Sequence, residues 1–146
     1  MASDLRAEDE VAVRASMALV ERVRPEDLER PTPCAGWDLA ALLAHMTAQH
    51  RGFAASAVGH GAAMDVWRVR PLGGSPAADY ADASEQVIAA FAAHDVLERM
   101  FALPEFGDGV RVPGRQAISV HFIDYARDPL ERILALVGRS SSWPEN

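Results

Sequence analysis

The stretch "DLAALLAHMTAQHRGFAASAVG", residues 38–59, decides the fold. Asp38 stands where a helix needs an N-cap and Gly59 where a helix stops, so the pattern predicts one helix from about Asp38 to Val58. At ~100° per residue, Leu39, Leu42, Leu43, Met46, Phe53 and Ala57 fall on one face. Such a face needs other helices to cover it. His50 lies near its centre and His45 at its edge, beside Leu42 and Gln49. Periodicity does not choose between them as the inward group, and both also read as ordinary helix histidines.

Upstream, "PEDLERPTPCAGW" (25–37) has three prolines and a glycine and reads as a loop with at most a short turn. Before it, "DLRAEDEVAVRASMALVERV" (4–23) mixes charged and apolar residues at helical spacing and is expected to be the first helix. Downstream, residues 59–75 form a glycine-rich loop holding Trp67. Ser75 and Pro76 then supply an N-cap and an N1 proline to a third helix over about 76–93, with Tyr80, Val87, Ile88 and Phe91 as its apolar positions. The segment "LERMFALPEFGDGVRVPG" (97–114) lacks a helical period and suits a loose hairpin or an extended crossing. A fourth helix runs from Gly114 to Arg127. Asp128 and Pro129 repeat the cap-and-proline pair, so the last helix is expected to break there and "PLERILALVG" to start afresh. The whole predicts an all-α, antiparallel four-helix bundle in a single domain spanning residues 1–146. Trp37 is expected to be buried where the loop enters helix two.

The chain has 146 residues, 49% of them hydrophobic, enough for one core. It has no apolar run long enough to span a bilayer, and its acidic start is unlike a signal peptide, so a cytoplasmic protein without a membrane partner is expected. A net charge of −7 disfavours nucleic acid as a partner, because phosphate binding draws on clustered cations. Every one of the 14 basic residues is arginine, which excludes lysine Schiff-base chemistry and a P-loop lysine. The lone cysteine, Cys34, excludes an internal disulfide and a CxxC metal site. Nothing places a base beside it, and it reads as a small buried residue.

In helix four, His121, Asp124 and Asp128 stand at i, i+3 and i+7 and share a stripe on an α-helix, next to Ile118, Phe122 and Tyr125. Carboxylates beside a core seam need a partner, a metal or water. Two readings stand. Either the stripe is a solvated edge with Asp128 as the N-cap of the next helix, or it faces a cation; Arg51, Arg115 and Arg127 lie on the helices concerned and are themselves able to pair with carboxylates.

"RPTPCAGWDLAALLAHM" (30–46), "LPEFGDGVRVPGRQAISVHFIDY" (103–125) and "PLERILALVGRSSSW" (129–143) together resemble the DinB-like superfamily, specifically the mycothiol-dependent maleylpyruvate isomerase-like proteins of actinobacteria. The resemblance implies a four-helix bundle with helices two and four adjacent and a divalent metal (zinc, nickel or iron) between them, where a thiol such as mycothiol is activated. By the same resemblance His45 matches the helix-two ligand and Asp124 the acidic ligand. At the third position relatives carry a histidine four residues after the acid, in a stretch like "VVHGWDLA"; here Asp128 stands at that offset, and His121 is the other candidate. The closing segment resembles the family C-terminus brought forward.

These readings leave a metal- and thiol-dependent isomerase or transferase, a metal-free relative that binds or isomerises or cyclises a small apolar metabolite, and a non-catalytic bundle that forms a homodimer. The expected partner is a small-molecule substrate, with a homodimer also in view.

Overall fold

The computed structural model describes residues 5–31, 38–107 and 109–127, the side chains of Glu105 and of 125–127 apart. Helix α1 spans Leu5–Val20, α2 Leu39–Ala57 and α3 Pro76–Phe91. A two-stranded hairpin follows, with β1 at Met100–Ala102 and β2 at Arg111–Pro113, and α4 begins at Gly114. Short 3-10 turns at Pro25–Glu29, Met64–Trp67, Val96–Glu98 and Pro104–Phe106 bridge the longer elements.

The helix ends follow from the residues placed there. The Asp38 carboxylate accepts from the Ala41 amide at 2.9 Å, satisfying a donor that the first turn of α2 leaves unpaired. At the other end Gly59 takes φ 95°, a conformation that costs glycine little. Ser75 caps α3 by accepting from Ala78 N at 3.3 Å, with Pro76 opening the helix. Helix α1 stops at Val20, earlier than the pattern suggests, and Pro25 starts the next 3-10 turn.

The hairpin is antiparallel, pairing Met100 with Pro113, Phe101 with Val112 and Ala102 with Arg111. It is tied to the end of α2, because Ser56 Oγ donates to Ala102 O at 2.9 Å and the Arg99 guanidinium donates to Ala57 O at 2.9 Å. Gly114 opens α4 against the Val96 turn. A Cβ there would run into the Val96 carbonyl, so only glycine fits.

The core has two apolar ends. Phe53, Val87, Phe91, Phe101, Leu103 and Ile118 fill the end beside the hairpin. Val20, Leu39, Leu42, Leu43, Met46 and Tyr80 fill the other. The expected apolar face of α2 is buried throughout, and Tyr80, Val87 and Phe91 do the same for α3. The fold is the expected all-α bundle with a small hairpin added.

The fourth helix departs from expectation. It is α-helical over Gly114–Val120 and π-helical over His121–Arg127. A π segment closes i→i+5 bonds and so takes more residues per turn than the 3.6 of an α-helix. Its packing is mainly against α1, with contact to α2 as well. The expected break at Asp128–Pro129, the helix after it, Trp37 and Cys34 lie outside the described residues. No described helix is long and apolar enough to cross a membrane.

Candidate functional site

Between the two apolar ends runs a line of buried polar side chains drawn from every main helix. Asp9 and Ser16 come from α1, His50 from α2, Tyr80 from α3 and His121 from the start of the π segment. Each is at most 1% exposed. Asp9 Oδ1 lies 2.6 Å from His121 Nδ1, and His121 Nε2 lies 3.0 Å from His50 Nδ1. His50 Nε2 is 3.0 Å from the Tyr80 hydroxyl, which is 2.6 Å from Ser16 Oγ. Ser16 Oγ also reaches Val13 O at 2.6 Å, closing the line on the backbone. Phe53 and Phe91 pack on His121, with ring centroids 5.0 and 5.2 Å away, and seal the line from the hairpin side.

Counting donors orders the protons. If Ser16 donates to Val13 O, its oxygen accepts from Tyr80, and the Tyr80 oxygen then accepts from His50 Nε2–H. His50 Nδ1 accepts in turn from His121 Nε2–H, which leaves one further proton shared between His121 Nδ1 and Asp9 Oδ1. The full set of bonds therefore holds an Asp9–His121 pair with a proton between carboxylate and imidazole. Neutral groups fill the rest. Burial, with His121 close by, pushes His50 well below the usual histidine range. Burial raises the Tyr80 hydroxyl and keeps it protonated, the Ser16 bond opposing in part.

Asp9 has a second feature. Its Oδ2 is buried and has no hydrogen-bond partner, a costly state for a carboxylate oxygen. Asp9 also belongs to the wall of a cavity of about 250 Å³ between α1 and α3, with Arg6 and Glu10 on one side and Ile88, Phe91 and Ala92 on the other.

Of the residues singled out from the sequence, His50 and His121 belong to this line, and His45, Asp124 and Arg115 do not. His121 is fully buried, so the solvated-edge reading does not hold for it. Asp124 is exposed. The π geometry is the reason: with a wider turn, i+3 no longer returns to the same face as i. His45 is half-buried on α2, and five residues of α-helix turn it ~140° from His50. Asp128 lies outside the described residues. Arg115 pairs with Glu98 at 3.5 Å on the surface.

The metal expected between helices two and four meets this arrangement poorly. His121 commits one ring nitrogen to Asp9 and the other to His50, leaving no lone pair for a cation. Among the described residues no three His, Cys, Asp or Glu side chains gather as a ligand set. They do not fit the group.

Of the buried line, three members carried a sequence signal: His50 at the centre of the apolar face of α2, Tyr80 among the apolar positions of α3, and His121 on the helix-four stripe. Asp9 and Ser16 gave none, since each looks like an ordinary helix residue until its partner is known.

A family model described as the mycothiol maleylpyruvate isomerase N-terminal domain matches residues 10–126. No curated protein matches the chain.

Proposed function

The chain belongs to the mycothiol maleylpyruvate isomerase N-terminal domain family, and on that premise we propose that it acts on a small organic molecule by acid–base chemistry, with a thiol of the mycothiol type as co-reactant. The observation that carries this reading is Asp9: a buried carboxylate, bonded to His121 through one oxygen, unpartnered at the other, and part of a cavity wall. A helical bundle gains nothing in stability from such a group, because an apolar residue of similar size packs there at less cost. Groups kept against stability are functional candidates.

The chemistry that fits is isomerisation through a thiol adduct. Cis–trans conversion of a conjugated double bond needs a transient single bond. Thiolate addition forms a C–S bond and breaks the π bond; after rotation, elimination breaks C–S and restores the double bond and the thiolate, with no net oxidation. The Asp9 carboxylate takes the thiol proton on the oxygen that no hydrogen bond occupies. His121 holds the other carboxylate oxygen, and His50 and Tyr80 fix the His121 ring, so these are positioning residues.

The test is turnover of maleylpyruvate with mycothiol by purified protein, followed by absorbance. Asp9→Asn is expected to lower kcat about 10²-fold or more, while His45→Ala and Asp124→Ala leave it unchanged. Absence of turnover and of thiol binding in the unmodified chain, with or without added zinc, nickel or iron, sinks the reading. Turnover that a chelator abolishes and metal restores, in a manner dependent on His45 and Asp124, replaces it with a metal-centred one.

A further inference from the structure

A second site lies on another face of α2, away from the Asp9 cavity. Ala44, Thr47, Ala48 and Arg51 stand at i, i+3, i+4 and i+7 and form one stripe of the helix. Residues 68–72 run beside that stripe as a strap outside any helix or strand, and between the two lies a small cleft bordered by Arg51, Arg68, Arg70, Thr47 and Asp79.

The strap is pinned at both ends. Trp67 sits on Gly52, where any Cβ would run into its ring, packs edge-on to Phe53 with centroids 5.2 Å apart, and donates Nε1–H to Gly61 O at 2.7 Å. Leu72 packs on the apolar end around Leu43 and Tyr80. Arg68 and Arg70 are two residues apart and both border the cleft. Pro71 stiffens the chain beside them. Exposed Arg68 and Arg70 thus border the cleft together with half-buried Arg51.

Among the described residues their charge is met only in part, by the nearby Asp79. Elsewhere arginines meet carboxylates: Arg14 with Glu10 and Glu85, Arg30 with Asp27, Arg99 with Asp95. Among the described residues Arg51, Arg68 and Arg70 form no ion pair, and the Asp79 carboxylate in the same cleft accepts instead from Gly73 N at 3.3 Å. Three like charges converge in a chain whose net charge is −7, so the local field is opposite to that of the whole. Three guanidinium groups against the single Asp79 carboxylate leave the cleft with an excess of positive charge, and guanidinium groups grip oxyanions through forked hydrogen bonds. The interior, about 20 Å³, has room for one water or one ligand oxygen, with the remainder of the anion at the mouth.

We propose that this cleft binds a small dianion, a phosphate or dicarboxylate group, through Arg51, Arg68 and Arg70. The proposal does not depend on the acid–base reading of Asp9.

The experiment titrates the full chain with inorganic phosphate and with succinate at constant ionic strength, read by amide chemical shifts. Saturable shifts are expected in residues 47–51 and 68–72. The Arg68→Gln/Arg70→Gln double variant and Arg51→Gln each weaken binding about tenfold or more, and Arg68→Lys/Arg70→Lys weakens it less, since charge remains while the fork is lost. Arg111→Gln, an exposed arginine of the hairpin, leaves it unchanged. Tighter phosphate binding identifies a phosphate-bearing ligand, and tighter succinate binding a dicarboxylate. Absence of saturation with both anions, or equal weakening by Arg111→Gln, overturns the site. Should Arg51→Gln fail to fold, the exposed pair Arg68 and Arg70 decides the matter alone.

Discussion

The Tyr80 hydroxyl is where the buried line is most easily cut. Tyr80→Phe keeps the ring, fully buried among Leu42, Leu43 and Met46, and removes only the oxygen between His50 Nε2 and Ser16 Oγ. Nothing else in the line replaces it, so the His50 donor is left unpaired in a dry interior. The expected loss of stability is about 1–3 kcal/mol, measured by urea unfolding. His50→Ala removes a buried ring and strands groups on both sides, so a larger loss, about 3 kcal/mol or more, is expected. If Tyr80→Phe unfolds at the same urea concentration as the parent chain, the hydrogen bonds through Tyr80 contribute nothing net to the fold. The same residues explain what sequence reading misses. The partners are 112, 71, 30 and 64 positions apart along the chain, and no local pattern links groups so distant.

Among the elements, the helices were legible wherever a cap was. Asp38, Gly59, Ser75 and Pro76 mark the ends of α2 and the start of α3, and the structure uses each of them. The α-to-π change at His121 was not legible, because it leaves no residue type behind; reading α periodicity through it put His121 and Asp124 on one stripe that the fold separates. The placing of the strap on α2 was equally silent, although it turns on a single residue. Gly52 lies in the middle of α2, where alanine is intrinsically better by ~1 kcal/mol. Against that gain, a methyl group there collides with the Trp67 ring. Gly52→Ala is therefore expected to lower stability by about 1–3 kcal/mol despite the propensity, and to be neutral or stabilising when combined with Trp67→Ala. Thermal unfolding of the four combinations checks it; additive effects would mean that Trp67 does not rest on Gly52. Anion binding in the strap cleft is expected to weaken in Gly52→Ala as well, since Arg68 follows Trp67 directly.

For the whole molecule, the buried line makes stability depend on pH from both sides. His50 has its folded value pushed well below the ordinary histidine range of about 6.5, by burial first and His121 second. Below that range the unfolded chain takes up a proton at this residue that the folded chain does not, so ν_U exceeds ν_N and stability falls as the solution is acidified. One such proton gives a slope of about 1.4 kcal/mol per pH unit. Tyr80 works at the opposite end. Its folded value is raised by burial, so above the ordinary tyrosine range of about 10 the unfolded chain loses a proton that the folded chain keeps, and stability falls as pH rises. The stability of the chain should thus form a plateau between roughly pH 7 and 10, with a shoulder on each flank set by one residue. Urea unfolding at constant ionic strength across pH 5 to 11 measures it. His50→Leu removes the titrating ring and is expected to flatten the acid flank by the slope of one proton while lowering the plateau. Tyr80→Phe should flatten only the alkaline flank. An acid flank of the same slope in His50→Leu would show that the histidine titrates alike in the folded and unfolded chains, which a ring sealed between His121, Tyr80 and the core of α2 does not permit.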